Sequence, residues 1–230
     1  MNVQREVALA GTLGLTKIRG YRKPETMTSI WRRVLAGLPF GTMTREVRVW
    51  RLRNFPNLLR GLYTVILSRL FHLPCFWGEL YLRKICGDGR VIDFGLASLR
   101  VVTTTGVGYI VDAFANSVEL ENMKYHGFGT GGGAEAAANI ALTTELTTEY
   151  TADNTRPTGS TEEGATANIY KTIATFTCDS GTPAVTEHGI FSQASNAGGV
   201  LLDKSLFAAI NMVATDSIVS TYSLTFTAGS

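Results

Sequence analysis

Residues 78–104 read GELYLRKICGDGRVIDFGLASLRVVTT, and this stretch decides the fold class. Leu80, Leu82 and Ile85 lead into Gly87-Asp88-Gly89, and Val91, Ile92, Phe94 and Leu96 follow. Two apolar runs around a Gly-Asp-Gly turn predict a β-hairpin, because a tight turn needs residues that tolerate positive φ. Further along, Met123–Phe128, Leu146–Tyr150, Asn168–Cys178, Val185–Ser192, Val200–Ile210 and Ser217–Thr227 read as strands, rich in Thr and aromatic residues that suit a pleated surface. Residues 179–183 (Asp-Ser-Gly-Thr-Pro) and 196–199 are turns between them. In the last strand Ile218, Tyr222, Leu224 and Phe226 punctuate Ser and Thr. Short strands at regular spacing predict a mainly β protein, a β-sandwich or jelly-roll-like domain. One short helix is expected over 106–116, where Val107, Ile110, Val111 and Phe114 share a helical face.

The N-terminal part has another texture. From Met43 the run MTREVRVWRLRNF alternates Val47, Val49 and Leu52 with arginines and predicts a short amphipathic strand or an irregular arm. A helix is expected at about 57–73, with Asn57 as N-cap after Pro56 and Pro74 as its stop. Its apolar positions are Leu58, Leu62, Val65, Ile66, Leu70 and Leu73. The division is expected near residue 78, between a basic, aromatic arm (1–78) and a Thr/Gly/Ala-rich β domain (79–230). Residues 1–56 are then dispensable for folding the β domain.

Charge divides the chain in nearly the same place. Residues 1–100 carry 17 Lys+Arg and 6 Asp+Glu, a formal +11, whereas residues 101–230 carry 4 and 13, a formal −9. Such an asymmetry means two regions with different surroundings. The arginine clusters Arg32, Arg33 and Arg45, Arg48, Arg51, Arg53, with Trp50 among them, form a candidate partner-docking arm. Arginine pairs with carboxylates and Trp anchors in a pocket. The same residues could grip phosphates and stack on bases. Nucleic-acid binding is expected to be weak at most, because the acidic half opposes phosphate.

Other classes find little support. Cys75, Cys86 and Cys178 are odd in number and widely spaced, which points to a reducing compartment. The greasy stretch 58–77 is broken by Arg60, Arg69, His72 and Pro74, so a buried or partner-facing helix is expected and no membrane partner. GFGTGGG (127–133) is followed by Ala134 and Glu135, not by Lys-Ser/Thr, and reads as a surface loop instead of a phosphate cradle. His126 and His188 with Glu187 are a conceivable metal set, but Glu187 and His188 are consecutive and point to opposite faces of a strand. Structural histidines are expected. No nucleophile sits beside a base, so no enzyme, catalytic residue, metal or cofactor is expected.

Four fragments in order carry a resemblance: RVVTTTGVGYIVDAFAN (100–116), MKYHGFGTGGGAEAAANIALTTELTTEY (123–150), AVTEHGIFSQASNAGGVLLDKSLFAAINM (184–212) and DSIVSTYSLTFTAG (216–229). From about residue 90 onward the chain resembles a family of tailed-bacteriophage virion structural proteins. Thr215-Asp216-Ser217 stands where that family usually has Gly-Asp-Ser, and Asn139 where Asp is more usual. The resemblance implies a non-enzymatic β-rich virion component. In it Gly127, Gly129 and Gly131 allow tight backbone geometry, and Phe191, Leu201 and Phe207 fill the core. The leading expectation is a capsid cement or decoration protein in the virion, assembled in the host cytoplasm. Its partners would be the major capsid protein or other virion proteins, and copies of itself as a homo-oligomer. A tail, adaptor or fibre component is the alternative, and a nucleic-acid-binding protein using the basic arm a further one.

Overall fold

The predicted hairpin forms. In this computed structural model, which describes residues 34–35, 37–70 and 75–227, β1 (Cys75–Ile85) and β2 (Val91–Val101) pair antiparallel. Gly89 sits at φ +83° in the turn and donates its N–H to the Cys86 carbonyl at 2.8 Å. A side chain there would be strained, which is why glycine closes the turn. The remaining strands are β3 (Tyr125–Gly129), β4 (Glu162–Glu163), β5 (Ile169–Thr177), β6 (Ala184–Phe191), β7 (Leu201–Asn211) and β8 (Ser217–Thr227).

All pairings are antiparallel and fall into two sheets, β2-β1-β8-β5-β4 and β3-β6-β7. The architecture is mainly β and sandwich-like. Leu80, Leu82, Ile92, Phe94 and Ile218 from the first sheet meet Phe128, Val185, Phe207 and Ile210 from the second. Burying such side chains contributes roughly 1.5–3 kcal/mol each, and this is the main cohesion of the two layers.

Among the described residues two helices flank the sheets: α1 (Arg45–Leu70) and α2 (Thr104–Phe114). Here the structure departs from the sequence expectations. Residues 45–55 are the first half of α1, not a strand or irregular arm. The cap is Thr44, whose Oγ1 accepts the Val47 N–H at 3.3 Å, not Asn57. Alternation misled because two helical faces are apolar. Val47, Trp50, Asn54, Leu58 and Gly61 form one, and it is buried. Val49, Leu52, Leu59, Tyr63 and Ile66 form the other, and it is exposed. Pro56 lies inside the helix on the exposed side, where the carbonyl it leaves without a donor can meet water. Residues 71–74, including the expected stop at Pro74, lie outside the described residues.

The division near residue 78 falls inside β1. Helix α1 packs on β2 and β7, the neighbouring edges of the two sheets. Edge strands carry unpaired backbone groups, and α1 satisfies them with side chains. Trp50 Nε1 donates to the Ala208 carbonyl at 2.7 Å, Arg51 Nε to Phe94 at 3.0 Å and Asn54 Nδ2 to Ala97 at 2.7 Å. Val47 and Trp50 also enter the main core. Truncation of residues 1–56, expected to spare the β domain, would take Val47 and Trp50 out of that core and Asn54 off the sheet edge.

Leu146–Tyr150 is not a strand. Tyr150 makes a single bridge to Cys178, and Glu145 one to Gly129. Helix α2 is where expected, but it buries Gly106, Tyr109 and Ile110, leaving Val107, Val111 and Phe114 exposed. Gly106 decides this. A Cβ there would stand 2.8 Å from the Leu202 backbone, so the glycine side lets the helix lie directly on β7.

Candidate functional site

Three polar clusters that could suggest chemistry lie inside the protein. His126 (β3) and His188 (β6) meet with Nδ1 and Nε2 3.0 Å apart. Ser220 Oγ is 2.7 Å from His126 Nδ1, and Thr172 Oγ1 is 3.0 Å from His126 Nε2. A hydroxyl beside an imidazole is a nucleophile–base contact in form. Here all four side chains are buried between the sheets. Burial drives both imidazoles toward the neutral form, His188 to a pKa of about 3. His126 is lowered by burial first and by His188 second. Sequence offered no signal for Ser220 or Thr172.

Glu187 points the other way, as the strand alternation predicted. Its buried carboxylate accepts N–H bonds from Gly131 at 3.1 Å, Thr143 at 3.0 Å and Thr144 at 2.7 Å. Lys204 Nζ stands 3.2 Å away. The glycine run is therefore not a plain surface loop. Gly127 and Gly129 lie in β3, and a Cβ on Gly131 would sit 2.5 Å from Glu187 Oε1. The loop does cradle an anion, and the anion is the protein's own carboxylate. Among the described residues no group of three or more His, Cys, Asp or Glu is placed to hold a metal ion.

Arg156 forms the third cluster. It pairs with Glu145, lies 3.5 Å over the Phe191 ring, and donates Nη1 to the carbonyls of Gln193, Ser195 and Gly198. Lys171 pairs with Glu162 in turn. Three of the four basic residues after position 100 are thus tied to carboxylates of their own half, and Asp112, Glu119, Glu121 and Asp153 are exposed acids with no ion pair among the described residues.

The docking-arm residues split into three groups. Arg32 and Arg33 lie outside the described residues. Trp50 is buried and Arg51 half-buried, both bonded to the sheet edges, so neither is free for a partner. Arg45, Arg48 and Arg53 are exposed, and Arg60 joins them. They flank the outward apolar stripe of α1, where Leu52 is 57% and Tyr63 65% exposed. This stripe, with positions 49, 52, 56, 59, 63 and 66 at alternating spacings of three and four, is the candidate functional surface. Its signal was present in the sequence but was hidden by the period-two reading. The described helices include none long and apolar enough to cross a membrane.

Compared with known protein families, the chain matches no family model, and a comparison with characterised proteins finds no match.

Proposed function

We propose that this chain is a non-enzymatic structural component of a tailed-phage virion, and within that class a cement or decoration protein of the shell. The observation that carries the reading is the outer face of α1. A single helix locks the two sheet edges with one side and presents an apolar stripe flanked by Arg45, Arg48, Arg53 and Arg60 with the other. Apolar anchors ringed by arginine suit a protein partner, and contiguous exposed apolar surface marks an interaction site. The sealed Ser220–His126 pair and the self-satisfied Glu187 cradle fit a scaffold that spends its polar groups on rigidity. The four ordered fragments supply the virion part of the reading.

The test is density location and copy number in purified particles whose genome encodes the chain. The expected result is lattice-like copies on the shell. Copies confined to the tail or its adaptor would move the protein to the alternative class. Absence from particles would end the virion reading.

A further inference from the structure

We infer that the outer face of α1 docks on the outer face of α2 in a second copy of this chain. The inference rests on reading the outer face of α1 as an assembly surface, and it adds the partner. The exposed charged side chains described on α1 are Arg45, Arg48, Arg53 and Arg60 with Glu46, a formal +3. The outer face of α2 is the complement. Val107, Val111 and Phe114 are exposed along it, Phe114 at 88%, and Leu120 continues the patch. Its charged neighbours are Asp112, Glu119 and Glu121, all exposed, and residues 104–122 contain no Lys or Arg, a formal −3.

Geometry makes the contact intermolecular. Both helices lie on β7, α1 through the Trp50–Ala208 bond and α2 through Gly106 on Leu202. The apolar residues of both patches are exposed, so the two patches do not cover each other within one chain. Pairing like with like is disfavoured, since α1 on α1 would set arginines against arginines and α2 on α2 carboxylates against carboxylates. Length fits as well. At 1.5 Å per residue α1 runs about 39 Å and α2 about 16 Å, so the shorter patch finds full cover on the longer helix. Each copy offers one patch of each kind. Such a contact closes as a two-fold pair or a ring, or propagates as a chain.

The experiment uses the full chain in sedimentation velocity over a range of concentrations. One variant reverses α1 (Arg45→Glu, Arg48→Glu, Arg53→Glu) and a second reverses α2 (Asp112→Arg, Glu119→Arg, Glu121→Arg). All six positions are exposed, and melting curves check that both variants fold. Wild type is expected to self-associate, more weakly at high salt. Each variant alone is expected to lose at least about tenfold in association, because like charges then face each other. An equimolar mixture of the two variants is expected to associate again, since every contact regains opposite charges. Misfolding would not produce that recovery.

A monomeric wild type, or variants that associate like wild type, would overturn the inference. Flotation of the wild type with anionic phospholipid vesicles, without self-association, would assign the α1 face to lipid and also overturn it. The virion reading is judged separately. Particles that carry the protein while the purified chain shows no pairing would leave that reading standing and remove this one. Pairing in solution by a chain absent from particles would do the reverse.

Discussion

Ala208 donates its backbone N–H to Asn54 Oδ1 at 2.9 Å, across 154 residues of sequence. The same side chain donates Nδ2 to the Ala97 carbonyl. One fully buried amide therefore joins the edge of the five-stranded sheet to the edge of the three-stranded sheet. Asn54→Ala would orphan the buried Ala97 carbonyl and the part-buried Ala208 N–H. Each orphan costs about 1–3 kcal/mol. The expected loss is about 2–5 kcal/mol in urea denaturation, with Asn54→Asp no better, because it lacks the donor. A loss under about 1 kcal/mol would mean that α1 is held by its apolar contacts alone.

Two glycines of α2 should respond in opposite directions. Gly106→Ala puts a methyl 2.8 Å from the Leu202 Cα and carbonyl oxygen and should destabilise by about 1–3 kcal/mol. A Cβ on Gly108 meets nothing within 4 Å. Gly108→Ala should stabilise by about 0.5–1 kcal/mol, from helix propensity alone. Melting temperatures of the two variants on either side of wild type would bear this out.

Thr215 has φ +77°, a left-handed backbone that a β-branched residue rarely adopts. The surrounding bonds hold it there. Thr215 N donates to the Cys178 carbonyl at 2.7 Å, and Asp216 accepts from Gly87 and Val213 while pairing with Lys84 at 2.6 Å. Burial opposes the charge on Asp216, yet Lys84 and the two N–H groups outweigh it and keep the carboxyl below its usual range. Thr215→Gly should relieve the strain and raise stability by about 1 kcal/mol. A lower denaturation midpoint would show that the Thr side chain contributes more than the strain costs.

The buried histidines set an acid limit. Both folded pKa values lie below the ordinary 6.5, that of His188 at about 3, so as pH falls below 6.5 the unfolded chain binds protons that the folded chain does not. Stability contributed by the neutral pair is present above pH 6.5 and is lost as pH falls. His188→Gln removes one of the two protons. The difference in stability between wild type and variant should shrink by about 1.4 kcal/mol per pH unit on acidification from pH 6 to 4. A difference independent of pH would mean that His188 titrates normally when folded.

Asp203 works with the opposite sign. Burial, and after it Glu135, pushes its pKa up to about 7. The folded state then holds a proton that the unfolded state releases near pH 4. Stability falls as pH rises from about 4 through 7. Asp203→Asn, which mimics the protonated acid, should match wild type near pH 4 and exceed it at pH 8. Denaturation midpoints at the two pH values check this divergence.

Sequence reasoning read the strands well where one face had to be buried. The alternation in β8 and the Gly-Asp-Gly turn after β1 are local signals, and no distant contact was needed to interpret them. It misread residues 45–55, because a helix with two apolar faces looks like alternation over ten residues. It missed Asn54, since nothing in a single Asn marks it as the bridge between sheets. It treated the glycine run as a surface loop, because the anion in that cradle arrives from Glu187, more than 50 residues on.

The β class, the hairpin, the positions of the long strands and the charge asymmetry are legible along the chain. These follow from side-chain period, turn chemistry and composition, which are properties of neighbours in the chain. Tertiary structure alone decided which face of α1 and of α2 is buried, and that His126 meets His188 while Glu187 turns away. It also made Trp50 and Arg51 anchors of their own sheets and left Arg48 and Arg53 outside. The physical reason is that each helix carries two plausible apolar faces. Only the strand edge that approaches, and the glycine that lets it approach, chooses between them.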